Sequence, residues 1–80
     1  MSAFIKPTYI DPIKFNCQLY LLRTSWNAAK DSTKKIFLDE TKLPKKTWKN
    51  ILDGEIKNTE YQFDRINEII KTIYLIENFR

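Results

Sequence analysis

Apolar residues recur every three or four positions along most of this chain, which is the period of an amphipathic α-helix. The first such run consists of Ile13, Cys17, Tyr20, Leu21 and Trp26. Asp11 and Pro12 precede it as an N-cap and a proline in the first helical turn. We therefore expect helix 1 over residues 12–26, or to residue 29, with these apolar side chains facing the core.

The next apolar run predicts a shorter helix 2. Its N-cap is offered by Asp31, Ser32 or Thr33. Its apolar residues are Ile36, Phe37 and Leu38. We expect this helix to end near Thr41, just before the short link Lys42-Leu43.

Two further helices follow from a proline, a glycine and a capping signature. Helix 3 is expected over residues 44–53, with Pro44 in its first turn and Gly54, the only glycine, ending it. Thr59 with Gln62 three residues later forms a capping box for helix 4. The broad apolar face of helix 4 comprises Phe63, Ile66, Ile69, Ile70, Ile73, Tyr74 and Ile76. We expect this helix to end near Asn78.

The predicted fold is all-α: a compact four-helix domain over residues 11–80 that contains a helix-turn-helix and follows an N-terminal arm, residues 1–10. Pro7 keeps Lys6 out of the helical region, so the arm is expected to be extended. We expect it to pack on its own domain or on a dimer mate. The alternative is that it enters a DNA minor groove with Phe4, Lys6 and Tyr9.

The composition excludes several classes of protein. There is no histidine and only one cysteine, so the commonest general base, an intrachain disulfide and a cysteine-based zinc site are all absent. Cys17 is expected to be a small core residue rather than an accessible thiol. No membrane-spanning run or signal peptide is visible. We expect a cytoplasmic protein that is not an enzyme and has no cofactor and no metal.

Positive charge is concentrated in one segment. Residues 42–50, KLPKKTWKN, hold four lysines and no acid, which equals the net charge of +4 of the whole chain. Concentrated charge of this kind attracts polyanions such as nucleic acid, although a solvated lysine-rich helix face is the plain alternative.

Helix 2, the link and helix 3 have the spacing of a helix-turn-helix, in which the second helix enters the major groove of DNA. The helical period turns Trp48, Ile51 and Leu52 inward. It turns four polar residues outward, namely Lys45, Lys46, Lys49 and Asn50. Lysine can donate to guanine O6 and N7, and asparagine can pair with adenine, so these four are the candidate base-reading residues. Thr47 can reach a phosphate or a thymine methyl group.

The segment LPKKTWKNILDGEIKNTEYQFDRINEII resembles the recognition-helix half of the Cro and phage-repressor type (XRE-like) of helix-turn-helix, and the resemblance covers residues 33–70. Leu43, Trp48, Ile51 and Gly54 take that family's apolar and glycine positions, while Lys42 stands where the family has a glycine in the turn. The resemblance implies double-stranded DNA as partner and base reading by helix 3. It also implies phosphate contacts from the loop residues Lys57 and Asn58.

Two other lysines complete the candidate phosphate contacts. Lys42 belongs to the basic segment. Lys34 opens helix 2, where its positive charge opposes the helix dipole unless a phosphate lies nearby.

Helix 4 is apolar over more of its circumference than one buried stripe requires, so it must be covered on more than one side. A second copy of the chain is the expected cover, since a symmetric dimer also places two recognition helices one turn of DNA apart. The expected dimer interface is Ile69, Ile73, Tyr74, Ile76 and Phe79.

The sequence thus predicts a homodimeric, sequence-specific, double-stranded DNA-binding regulator of transcription, typical of a phage, plasmid or other mobile element. The alternative is a small protein-interaction module that uses a helix-turn-helix scaffold to bind and inhibit a host protein.

Overall fold

A computed structural model describes residues 6–79 and confirms an all-helical fold. Its four helices are α1 (Pro12–Ala28), α2 (Asp31–Thr41), α3 (Lys45–Asp53) and α4 (Glu60–Phe79). Residues 1–5 of the predicted arm, Phe4 among them, and residue 80 lie outside the described residues. Within residues 6–79, no helix combines the length and the apolar character needed to cross a membrane.

Helix α4 lies beside α1 and runs in the same direction. The rings of Phe15 and Phe63 are 6.4 Å apart between centroids near the start of both helices. One turn further along, Gln18 Nε2 donates a hydrogen bond to Asn67 Oδ1 at 2.6 Å. Two parallel helices need a connection that returns to the same end of the domain, and α2 and α3 provide it.

The structure corrects the predicted inward face of α1. Its buried residues are Phe15, Leu19 and Leu22, with Trp26 half-buried behind them. Of the stripe predicted to face the core, Trp26 packs against it and the other four residues lie on the solvent side: the exposed fraction is 74% for Ile13, 67% for Tyr20 and 45% for Leu21, and the Cys17 thiol is exposed as well.

Both stripes of α1 repeat at helical spacing, so periodicity alone does not distinguish them. The stripe that the fold buries is wholly hydrocarbon, whereas the other includes the hydroxyl group of Tyr20. A buried hydroxyl needs a hydrogen-bond partner, and burial of a hydrocarbon stripe carries no such requirement.

Helix α4 is covered on two sides within one chain, because α1 and α2 both pack against it. Ile69, Ile73 and Ile76 are therefore buried in the core, with exposed fractions of 7%, 3% and 5%. They are not free to contact a second copy, so this part of the predicted dimer interface is wrong. Tyr74 and Phe79, the other two predicted interface residues, are exposed.

A cluster of three aromatic rings, which we call the aromatic triad, joins α1, α2 and α3. Trp26 lies 4.9 Å from Trp48 and 5.5 Å from Phe37 between ring centroids, and Phe37 lies 5.0 Å from Trp48. Offset and edge-on aromatic pairs at such distances add to the free energy gained from burial alone. Each of the three helices thus contributes one ring, and the position of α3 is fixed by its contacts with the other two.

Helix α2 begins differently from the prediction. Its N-cap is Lys30, which makes no side-chain cap hydrogen bond, and Asp31, Ser32 and Thr33 lie inside the helix. The carboxylate of Glu77, from the end of α4, accepts hydrogen bonds from the Thr33 hydroxyl group and, at 3.3 Å, from the Lys30 backbone N–H. A carboxylate from another helix thus lies at the positive end of the α2 dipole.

The other two predicted helix starts are confirmed in part. Pro44 is the N-cap of α3 rather than its first helical residue. At the start of α4, Gln62 N donates to Thr59 Oγ1 at 3.2 Å, as a capping box requires. The reciprocal contact is not made: in the described part of the chain, Gln62 Oε1 is buried without a hydrogen-bond partner.

The described part of the arm packs on its own domain. Ile10 N donates to Asn58 O at 2.8 Å and Glu60 N donates to Thr8 O at 2.7 Å, which forms an isolated antiparallel bridge around Tyr9 and Thr59. These hydrogen bonds hold the loop before α4 against the segment before α1.

The aromatic triad predicts a large loss of stability when its central ring is removed. Phe37→Ala should lower the free energy of unfolding by about 3–5 kcal/mol, because a fully buried ring leaves a cavity between three helices. Denaturant unfolding followed by circular dichroism measures this loss. Leu38→Ala at the neighbouring, 38% exposed position is the matched control and should cost roughly 1 kcal/mol. Equal losses at both positions would contradict the role of the triad.

The Glu77 contact predicts a loss of stability in acid. The hydrogen bond from Thr33 lowers the pKa of Glu77 below its ordinary value; burial opposes this shift, and the backbone N–H and the charge of Lys30 support it. A carboxylate with a lowered folded-state pKa stabilises the fold above the unfolded-state value, about 4.3, and this contribution is lost as the pH falls through the folded-state pKa.

Glu77→Gln should therefore be less stable than the wild type at about pH 7, and the difference should shrink in acid. Urea unfolding at a series of pH values measures it. Thr33→Val, which removes the hydroxyl donor and keeps the side-chain shape, should reduce the pH-dependent part. A difference between wild type and Glu77→Gln that stays constant into acid would show that the ionised carboxylate does not stabilise α2.

Candidate nucleic-acid interface

Helix α3 has one buried side, as its sequence predicts. Trp48 and Ile51 have exposed fractions of 6% and 1%, and Leu52 is half-buried beside them. Trp48 belongs to the aromatic triad and Ile51 packs in the same core. These contacts confirm the predicted inward face and set the direction in which the other side of the helix points.

The opposite side of α3 carries the four predicted base-reading residues, and we call it the lysine face. Lys45, Lys46 and Lys49 are exposed and Asn50 is half-exposed. Thr47, a predicted phosphate contact, is also half-exposed and lies at the edge of the buried side. The structure therefore brings the four candidate residues onto one accessible surface about two turns long.

Sequence reasoning missed one residue of this surface. Asp53 is exposed and lies one helical turn after Lys49, so it shares the lysine face at its C-terminal end. A carboxylate there disfavours a polyanion at the C-terminal end of α3. The four-residue spacing of Lys49 and Asp53 could have shown that the two side chains share one face of the helix.

The beginning of α3 is an unusually positive place. Its N-cap, Pro44, makes no side-chain cap hydrogen bond, and the first turn contains no acid. Lys45 and Lys46 add their charge to the positive end of the helix dipole, which is unfavourable by a few tenths of a kcal/mol per charge in the absence of an anion. An anion close to this end would be attracted by the lysine charges and would accept hydrogen bonds from the uncapped backbone N–H groups.

The link between α2 and α3 turns sharply at Lys42. This residue caps α2 in the left-handed conformation, with φ of 51°, and its N–H donates to Leu38 O at 3.0 Å. A glycine adopts this conformation without strain, whereas a lysine has a cost of about 1 kcal/mol. The backbone at Lys42 thus has a conformation that favours glycine. The lysine side chain is exposed next to the lysine face.

The remaining candidate phosphate contacts differ in their availability. Lys57 is exposed in the loop after α3. Lys34 is half-buried, with Nζ 5.7 Å from the centroid of the Trp26 ring, so part of its charge is engaged by the triad. Asn58 links the loop to the arm: its side-chain Nδ2 donates to Ile10 O at 2.6 Å, and its backbone carbonyl accepts from Ile10 N. This link uses one of the two hydrogens of the Asn58 amide, so a phosphate contact through the other stays a prediction.

The end of α3 is fixed from α1, which the sequence did not reveal. Gly54 ends the helix in the left-handed conformation, with φ of 77°. Arg23 Nε donates to the Leu52 carbonyl, where a positive charge also favours the negative end of the helix dipole. The positive φ favours glycine, and a Cβ atom there would also lie 2.9 Å from Leu19 Cδ2, so any larger residue would require the Leu19 side chain to shift. No local pattern relates Arg23 to Leu52, because they are 29 positions apart.

An open groove of about 380 Å³ lies alongside the lysine face. Its walls come from α2, the link and α3, and its floor includes two rings of the triad. The apolar lining comprises Trp26, Leu38, Leu43, Trp48 and Leu52. Lys45, Lys49 and Asp53 form its charged rim. Two of the four candidate base-reading residues thus also border an apolar surface.

Comparisons of the chain with protein-family models, with curated proteins and with solved structures find no match. The case for a function therefore rests on the residues and geometry of the chain itself.

Proposed function

We propose that this protein binds double-stranded DNA through the lysine face of α3 and regulates transcription, in the manner of the helix-turn-helix family that residues 33–70 resemble. The single observation that carries the proposal is the lysine face itself. Three exposed lysines and an accessible asparagine lie on one side of a helix whose other side is fixed in the core.

The charge and the chemistry of this surface support duplex DNA in particular. Counterions surround the phosphates of duplex DNA, and a lysine that contacts a phosphate releases them. Each such contact therefore adds affinity, and this contribution falls as the salt concentration rises. A helix presents side chains at a spacing that fits the major groove, where lysine and asparagine can contact base edges. The uncapped start of α3 offers backbone N–H groups to a phosphate next to those bases.

Roles within the proposed site divide by position. Lys45, Lys46, Lys49 and Asn50 are the proposed base contacts. Lys42, Thr47 and Lys57 are the proposed phosphate contacts, and Lys34 assists only if its side chain leaves the Trp26 ring. We further propose that the protein acts as a homodimer on a palindromic site, and that it works in the cytoplasm.

The experiment that tests the proposal is selection from a randomised duplex pool at about 50 mM and about 200 mM salt, the range over which phosphate contacts show their effect. We expect enrichment of an inverted repeat, with affinity that decreases steeply between the two salt concentrations. Binding without an enriched sequence would reduce the proposal to nonspecific DNA binding. Absence of binding at both concentrations would contradict it.

Two substitutions distinguish base reading from phosphate contact. Asn50→Ala should lower the preference for the selected site over a scrambled duplex, by about 1–3 kcal/mol at one base pair. Lys57→Ala should weaken binding to both duplexes by a similar factor and reduce the salt dependence. Fluorescence anisotropy with the two duplexes measures both effects. Identical behaviour of the two variants would contradict the division of roles, and Lys71→Ala on the exposed side of α4 is the control.

A second candidate function is favoured by the groove beside the lysine face. An apolar floor with Lys45 and Lys49 at its rim suits an acidic segment of a host protein that inserts an apolar side chain. In that case the chain is a protein-interaction module that inhibits its partner. Leu38→Ala, at an exposed position of α2 that lines the groove, would then weaken binding of the partner, whereas a duplex-binding protein would retain its site preference.

A further inference from the structure

The groove beside the lysine face has the size and the lining of a small-molecule site. Its volume of about 380 Å³ lies within the range of about 300–1,000 Å³ in which proteins hold small ligands. Leu38 is exposed, and Leu43, Leu52 and Trp26 are half-buried, so apolar surface is accessible to an occupant. Such sites combine apolar walls with a few polar groups at fixed positions, and these polar groups determine which ligand is bound.

The charges on the rim favour an anion. Lys45 and Lys49 lie one helical turn apart, and both are exposed. Asp53 is the third charged residue of the rim, and it lies about 12 Å from Lys45 along the helix, at about 1.5 Å per residue. A carboxylate between the two lysines is therefore attracted by two nearby charges and repelled by one that is farther away.

A buried donor in the groove lining independently indicates a ligand with an acceptor. Trp48 lines the groove and is only 6% exposed. Within the described residues, its Nε1 is buried without a hydrogen-bond partner. A buried N–H group without a partner is unfavourable, and such groups are rare in folded proteins. An occupant that brings an acceptor beside this ring would give the donor a partner.

The apolar surface at the end of α4 has the opposite charge. Two smaller clefts lie there, each of about 260 Å³. Tyr74 lines one of them, and Leu75 and Phe79 line the other. The charged residue in each lining is an acid, Glu77 in the first cleft and Glu40 in the second. An apolar anion is repelled from these clefts, whereas the groove beside α3 offers it both apolar walls and lysines.

We propose that the groove beside the lysine face binds a small amphipathic carboxylate. The apolar body of this ligand lies on the apolar walls, and its carboxylate lies between the ammonium groups of Lys45 and Lys49. The groove thus has a small-molecule occupant in place of the protein segment of the second candidate function.

The bound carboxylate is an effector that releases the protein from DNA. The proposed function assigns Lys45 and Lys49 to base contacts, so the ligand and the duplex compete for the same two side chains. This regulatory role rests on the proposed function, whereas binding of the carboxylate does not.

Titration of the full chain with sodium octanoate, against a matched titration with sodium chloride, tests the site. Trp26 and Trp48 are the two tryptophans of the chain, and both line the groove, so their fluorescence reports its occupancy. We expect a saturable change with a dissociation constant below about 1 mM. Octylammonium chloride has the same apolar chain with the opposite charge, and it should bind at least about fivefold more weakly.

Two double variants show whether the rim lysines select the anion. Lys45→Gln/Lys49→Gln should raise the dissociation constant of octanoate at least about fivefold, because two exposed ion pairs are lost. Lys46→Gln/Lys57→Gln removes the same charge from two exposed lysines outside the groove lining and should change the constant less than about twofold. Leu38→Ala shortens one wall and should weaken octanoate as well. The circular dichroism of each variant shows that it is folded.

Three results would overturn the proposal. The first is the absence of a saturable fluorescence change up to about 10 mM octanoate. The second is an equal loss of affinity in the two double variants, which would show general attraction to a basic protein. The third is octylammonium that binds as tightly as octanoate.

Competition with the selected duplex, followed by fluorescence anisotropy, tests the effector role. Octanoate at about ten times its dissociation constant should raise the apparent dissociation constant of the duplex about tenfold. Unchanged duplex affinity under these conditions would overturn the effector role. The tryptophan titrations contain no DNA, so failure of the groove to bind octanoate is distinct from failure of the lysine face to bind a duplex.

Discussion

The contact on which the fold depends most is the aromatic triad of Trp26, Phe37 and Trp48. These rings come from three different helices and meet within 4.9–5.5 Å of one another. Helix α3 has only nine residues, and an isolated helix of that length is not stable in water. It persists because the triad, Ile51 and the Arg23 hydrogen bond hold it against the other helices.

This dependence has a consequence for the lysine face. Side chains that read base edges must be held at a defined position, since a loosely placed helix forfeits directional hydrogen bonds. The anchored side of α3 provides that position, and Lys42 and Gly54, both left-handed, fix where the helix begins and ends. The four lysines within residues 42–50 concentrate positive charge, which is unfavourable in the free protein. Contact with a phosphate backbone would make the same charge favourable.

The sequence alone predicted the structure correctly where a local pattern had only one interpretation. The inward face of α3 and the glycine stop at Gly54 follow from spacing and from the conformational freedom of glycine, and both are observed. The buried face of α1 could not be predicted from periodicity, because its two stripes have the same period and differ only in the chemistry of their side chains. Of the residues that periodicity selected, Trp26 packs against the core and the other four proved to be exposed.

Other features were outside the reach of sequence reasoning because they join residues far apart in the chain. Glu77 caps α2 from α4, and Arg23 contacts the end of α3 from α1. The arm contacts Asn58 in the same way. These contacts give residues structural roles that no local pattern shows: Asn58 links the loop to the arm, and Ile69, Ile73 and Ile76 of α4 belong to the core rather than to an interface.

The central claim is that α3 presents its lysine face to duplex DNA. Its most direct test is an NMR titration of the ¹⁵N-labelled chain with the duplex recovered by selection, at low salt. We expect the amide shifts to concentrate in residues 42–50 and at Lys57, and the core side of α4 to be unaffected. Shifts centred on α1 or on α4, with residues 42–50 unchanged, would contradict it.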